Sequence, residues 1–273
     1  MPRGESKDPL MPRPDHGPAI LAGQLRYTSV TATCLADPAV GGCPKAWWYH
    51  YGPLRLTKKT GRGADLGVAG HARLEHYLTT GNNVLARTEL VGLAALPTPS
   101  PILLVEWPLT NYLKARGVPM VGYVDCVDLA AEVISDWKFK ADLDKWSAKK
   151  EDLTSPLSPY GVQMLAYVVA VSAAFGGRVW TVRHLNFRHS GRYEYNETKT
   201  SISSEEAINK WGSICLRILP LLEKLAQKTE AEEHTLPRNE EACGRYGGCP
   251  YEQRCKNPME RLRANLARLK KEK

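Results

Sequence analysis

This 273-residue sequence predicts an α/β fold, a mixed central sheet flanked by helices. Two pairs of apolar runs supply strands: VPMVGYVDCVD with AEVISDWKFK, and RVWTVRHLNFR with GRYEYNET. The connection within each pair is short enough for antiparallel neighbours. Two long segments of helical character begin near residues 159 and 203. The hydrophobic fraction of 43% is ordinary for a globular domain, and the length allows a sizeable core.

In chain order, residues 1–25 are rich in proline, glycine and charge and are expected to be flexible. From Tyr27 to Gly52 a loop enters a short helix bearing Trp47, Trp48, Tyr49 and Tyr51. For these aromatics, burial is favoured over stacking on single-stranded bases. Residues 66–79 form a helix on which His71 and Glu75, four apart, share a face. A strand over 101–106 ends at Glu106. Residues 118–128 and 131–140 are the arms of the first hairpin. Side chains two apart on a strand point the same way, so Asp136, Lys138 and Lys140 form one row. Asp128 faces away from Asp125 or sits in the turn, and is structural. A helix over 159–175 carries Gln163 and Tyr167 on one face and ends near Gly176 and Gly177. The second hairpin turns at His189, Ser190 and Gly191. The last long helix opens with a capping box, Ser203 with Glu206, and is expected to kink at Pro220. No internal boundary is evident, so residues 26–258 are expected to form one domain, followed by a basic tail over 259–273.

The formal net charge of +8 favours an anionic partner such as nucleic acid. No apolar run reaches the roughly 18 residues of a membrane span. The first residues lack the apolar core of a secretory signal, so a cytoplasmic location is expected. Seven cysteines, an odd number, are better read as metal ligands or buried thiols than as disulfides. A Walker-type phosphate loop is missing, which argues against a helicase.

The first hairpin can bring Asp125 close to Asp136. Two carboxylates on adjacent strands suit Mg²⁺, which prefers a few carboxylate oxygens plus waters. A lysine beside them, Lys138, can orient or deprotonate an attacking water or stabilise a phosphorane-like transition state. That is what phosphodiester hydrolysis requires.

GVAGHARLE (67–75), Glu106, GYVD (122–125), SDWK (135–138) and QMLAY (163–167) occur in this order. The set resembles the RecB-type branch of the PD-(D/E)xK nucleases. The resemblance implies a restriction-endonuclease-like sheet. It implies that His71, Asp125 and Asp136 hold Mg²⁺ or Mn²⁺, that Lys138 is catalytic, and that Gln163 and Tyr167 line the site in support. Glu106 and Glu75 are further supporting groups. The implied activity is that of a metal-dependent deoxyribonuclease, with exonuclease the expected mode. It would serve DNA-end processing in recombination, repair, replication or CRISPR-type adaptation, beside a helicase or a recombination or adaptation protein. The competing class is a non-catalytic DNA-binding scaffold that keeps the fold.

Cys243, Cys249 and Cys255 are six apart in CGRYGGCPYEQRC. A helix would not put them on one face, and the glycines and proline favour loops that fold around a metal. Cys34 and Cys43 compete for a fourth place. A Cys-Pro near the start with three cysteines near the end is similar to the iron–sulfur staple of AddB-type and CRISPR-adaptation nucleases. That resemblance implies Cys43 as the fourth ligand of a [4Fe–4S] cluster in a helical subdomain joining the two chain ends. The first spacing in the C-terminal trio is longer than in those relatives, and zinc is the chemical alternative. Cys126 and Cys215 are packing thiols.

Overall fold

The computed structural model describes residues 19–56, 62–247 and 249–256. At its centre is a five-stranded mixed sheet. Strands β3 (Leu103–Pro108), β6 (Tyr123–Asp128) and β7 (Val133–Lys140) run antiparallel in turn. Strand β8 (Val179–Arg188) lies parallel to β7, and β9 (Tyr195–Ser203) closes the edge antiparallel. A smaller four-stranded sheet contains β1 (Ala19–Leu21), β2 (Gln24–Ser29), β5 (Val118–Val121) and β4 (Lys114–Ala115) in that order.

Parallel neighbours need a crossover, and α6 (Pro159–Phe175) supplies it between β7 and β8. Its sequence is apolar almost all round because it is buried on most sides, against the sheet and against α7 (Ser204–Gln227). Pro159 occupies its first turn, where a missing N–H costs nothing. Helix α7 starts where the capping residue predicts, with the Ser203 hydroxyl accepting the Glu206 N–H at 3.1 Å. It runs through Pro220 without ending. Helices α1 (Val30–Ala36) and α2 (Pro44–Tyr51) join α6 and α7 in the larger core, where Trp47, Trp48 and Tyr49 are fully buried. Two short helices, α4 (Arg87–Leu90) and α5 (Leu143–Trp146), and a final turn of helix, α8 (Glu252–Lys256), complete the set.

Helix α3 (Arg62–Thr80) crosses the opposite face of the sheet, over β7 and β3. Leu74 and Leu78 seal against Cys126, Trp137, Leu185 and Phe187 in a second core. Gly70 makes the close approach possible: any side chain there would run into the Phe139 ring. The helix is also tied to its neighbour by charge. Arg73 forks onto the buried Glu89 carboxylate at 3.0 and 2.7 Å, and Glu89 in turn accepts the Ala86 N–H at 2.6 Å. Stripping one partner from such a buried pair costs about 3–5 kcal/mol. Steric fit and ion pair together fix the height of α3 above the sheet, and with it the position of His71.

Several expectations need correction. Residues 19–25 are not a loose leader but a tight hairpin, in which Ala22 and Gly23 turn with φ of 50° and 73°. Residues 1–18 and the basic tail from 259 lie outside the described residues. The single strand expected over 118–128 is two. At Gly122 the chain leaves the small sheet, and its carbonyl accepts the Leu109 N–H at 3.1 Å, before β6 enters the large one. The loop expected before α2 contains β2 and α1, and the second arm of the second hairpin begins at Tyr195 rather than Gly191.

Candidate active site

The site forms where β6 and β7 part. Their pairing covers Cys126–Ser135, Val127–Ile134 and Asp128–Val133 and then stops. Asp128 ends β6 at the turn, where its Oδ1 accepts the N–H groups of Ala130 and Ala131. Continued one step, the register would set Asp125 opposite Asp136. There the strands separate instead, and the Asp125 carboxylate accepts the Trp137 N–H at 2.7 Å. A side chain thus replaces the missing rung of the ladder. Strand β7 keeps its full pairing with β8 on the other side, so the row Asp136, Lys138 is held rigidly while its β6 flank lies open.

Strand β3 is distorted at the same level. Glu106 has φ of 49°, a left-handed conformation that costs a non-glycine residue about 1–3 kcal/mol. Its effect is visible in the packing. Val105 and Cys126 belong to the core under α3, yet Trp107 and Val124, two residues along, belong to the other core. The faces exchange across Glu106 and Asp125, and both carboxylates emerge at the exchange.

His71 comes down from α3 to meet them. Its Nδ1 lies 3.9 Å from a Glu106 oxygen and 3.8 Å from an Asp125 oxygen. One ligand atom from each of the three falls within 4.8 Å of the others. Beside them Lys138 Nζ lies 2.6 Å from Asp136 Oδ2 and donates to Gln163 Oε1 at 3.0 Å. The Gln163 amide donates to the Tyr167 hydroxyl at 2.6 Å. Lys138, Gln163 and Tyr167 therefore form one chain from β7 into α6. Glu75 lines the outer wall of the same cavity, of about 580 Å³, one helical turn from His71.

The electrostatics are those of a site short of positive charge. Burial first, and then the neighbouring Asp136, push the Asp125 carboxyl up to about 7. Asp136 is also buried, but Lys138 and then His184 outweigh that and hold it below the usual range. Burial would lower His71; the carboxylates of Glu106, Asp125 and Asp136 outweigh it, so its imidazole is raised. Asp136 Oδ1 has no hydrogen-bond partner among the described residues. Clustered, partly unsatisfied carboxylates with one imidazole are a hard-donor set, and they fit a small divalent cation.

The family model for the PD-(D/E)XK nuclease superfamily matches residues 87–256, more than half of the chain. The chain belongs to that superfamily. The fold agrees, since a mixed sheet flanked by helices is consistent with its restriction-endonuclease-like arrangement. A nuclease of this superfamily uses divalent metal ions, and the His71, Glu106, Asp125 group is a possible site for one. The match takes in Glu106, Asp125, Asp136, Lys138, Gln163 and Tyr167; α3 with His71, and α2, precede it. No curated protein matches the chain.

Sequence reasoning missed His184 and placed Glu106 among the supporting groups, while the fold sets one of its oxygens within 4.8 Å of His71 and Asp125 ligand atoms. His184 is fully buried on β8, in register with Asp136, with Nε2 3.5 Å from Asp136 Oδ2 and the Tyr160 ring edge-on at 5.3 Å. Burial pushes its pKa down to about 4. The signal was present: Val182, His184 and Asn186 alternate on one strand face, and two of the three are polar.

Four of the cysteines gather at the head of α2. Cys43 caps the start of α2, and Cys43, Cys243, Cys249 and Cys255 line one small cavity. The Cys249 thiol is raised, by burial and then by Cys243, Cys43 and Cys255. The Cys249 N–H donates to the Cys243 carbonyl at 2.9 Å, and Asn239 donates its N–H to Cys43 Sγ at 3.4 Å. Cys34 is elsewhere, with its thiol against the Pro159 carbonyl. Cys126 and Cys215 are buried in the two cores. The C-terminal segment is anchored on α2 by Tyr49, whose hydroxyl donates to Glu233 at 2.6 Å, and by Tyr251, 2.9 Å from His50 Nδ1.

Proposed function

We propose that the chain is a Mg²⁺- or Mn²⁺-dependent DNA exonuclease that processes strand ends in recombination, repair, replication or CRISPR-type adaptation. The observation that carries the hydrolytic reading is the meeting of His71, Glu106 and Asp125 at one point beside the Asp136–Lys138 pair. His71, Glu106 and Asp125, with the unsatisfied oxygen of Asp136 beside them, are the groups that would hold the cation. A divalent cation bound there would supply Lewis acidity to the scissile phosphate. The rest of the work falls to side chains. Lys138 Nζ, aimed by Asp136 and Gln163, orients the attacking water and meets the charge that develops on phosphorus-bound oxygen. Tyr167 fixes the Gln163 amide so that its oxygen faces the lysine. His184 backs Asp136 from the buried side. The exonuclease mode rests on the RecB-like order of the motifs, as does cooperation with a helicase or an adaptation protein that supplies free ends.

The test is digestion of end-labelled linear and of circular DNA with Mn²⁺ or with EDTA. Metal-dependent loss of label from linear DNA, with circles intact, is the expected result. Cutting of circles replaces the exonuclease with an endonuclease.

We also propose that the four thiols hold a [4Fe–4S] cluster that staples the C-terminal segment to α2. Four cysteines around one cavity fit such a group. Protein purified without oxygen is expected to be brown, with broad absorbance near about 400 nm, about four irons per chain, and loss of both in Cys249→Ser. Colourless protein with one zinc would replace the cluster by a zinc staple.

A further inference from the structure

Next to the metal-binding groups is a second cavity, of about 400 Å³, that shares Glu106 with the first. Gln163 and Tyr167 line it as well. The hydrogen-bonded chain from Lys138 therefore begins in the first cavity and ends in the second. A polymer whose phosphate sits at Lys138 and Glu106 has its adjoining nucleotide directed here.

The walls are suited to a nucleobase. Tyr51, at the end of α2, lines one part, and Tyr123, two residues before Asp125, lines another. The Tyr51 ring is braced edge-on by Trp47 at 5.7 Å and His50 at 4.4 Å. Tyr123 is 37% exposed, in a strand whose next five residues are mostly buried. The polar lining consists of hydroxyl and amide groups, including Thr31, and the one charge is Glu106; among the described residues no lysine or arginine lines it. A phosphate would find no counter-charge there, whereas a neutral base finds aromatic faces and hydrogen-bonding edges.

Resting on the nuclease reading, we infer that this cavity is a base-binding subsite for the nucleotide beside the scissile phosphate, so the DNA strand is unpaired at that position. The hydroxyl and amide groups that line the cavity take up the hydrogen-bonding edge of a base seated in it, the edge that a complementary base would otherwise occupy. The subsite selects single strands or frayed ends and is tolerant of base identity, because every base offers a stacking face.

The test uses unaltered protein in EDTA, which binds without cutting, and fluorescein-labelled single-stranded 12-mers with one abasic nucleotide moved stepwise along the strand. One or two adjacent abasic positions are expected to weaken binding about tenfold, the order of a single base stack. In Tyr51→Ala or Tyr123→Ala the intact strand should weaken similarly and those positions should become silent, while Tyr51→Phe keeps the pattern. Equal binding at every abasic position overturns the subsite, and so does a penalty that persists in both alanine variants. If the wild type cuts with Mn²⁺ but binding is position-blind, the subsite fails and the nuclease stands. A position-specific penalty without cutting keeps the subsite and removes the nuclease reading.

Discussion

Lys138→Ala should abolish Mn²⁺-dependent cutting, lowering the single-turnover rate by about a thousandfold or more, while DNA binding in EDTA changes little. Two losses combine in the variant. On the proposed mechanism, the ammonium that orients the attacking water and meets the developing charge is gone, which for a positioned catalytic group is worth about 10²–10⁴. Asp136 is also 1% exposed and pushed up by burial, and Lys138 is the largest influence holding it down. Without the lysine its carboxylate loses its 2.6 Å partner and moves toward the protonated form, a poorer ligand. Lys138→Arg tests the division: it keeps the charge but not the compact, rotatable donor, so it should protect Asp136 more than it restores rate. Cutting by Lys138→Ala within tenfold of wild type would remove the lysine from the mechanism and favour a role for this fold as a binding scaffold.

Asp125→Asn should separate stability from activity. The Asp125 carboxyl is pushed up to about 7 in the folded chain, by burial and then Asp136, against about 3.9 when unfolded. Between about pH 4 and 7 the folded chain therefore holds a proton that the unfolded chain has shed. Across that window this group's contribution falls as pH rises, and above about 7 the full penalty is present. Asparagine keeps an acceptor for the Trp137 N–H and discards the charge. The metal-free variant is expected to melt about 3–8 °C above metal-free wild type at pH 8, with the two converging toward pH 4. Added Mn²⁺ should reverse the order, raising wild type and leaving the variant almost unmoved. A wild type already the more stable at pH 8 in EDTA would show that Asp125 is not held in an uncompensated acidic cluster.

The long helices were legible because their boundaries are local chemistry. Pro159 and Gly176 bracket α6, and Ser203 starts α7. The turn between β6 and β7 was legible for the same reason. The break at Gly122 was not. Alternation runs evenly through VPMVGYVDCVD, and only the competition of two sheets for one run of residues splits it. The row of Asp136 and Lys138 follows from strand periodicity, and its placement near Asp125 from hairpin geometry. What the pattern could not supply is the left-handed backbone at Glu106, which brings that carboxylate among the others. No residue type announces it, since glutamate does not favour that conformation. His184 escaped because its environment is tertiary: it faces Asp136 only once a parallel neighbour has been recruited through α6.

Helix α2 has eight residues, Pro44–Tyr51, with one of the four gathered thiols at its head and the tyrosine wall of the second cavity at its foot. Each residue of an α-helix adds about 1.5 Å and turns the next side chain by about 100°. One residue more or fewer would leave Cys43 in place and swing Tyr51 onto another face. With the cluster and the base subsite proposed above, the helix is a spacer whose residue count sets the angle between its two ends.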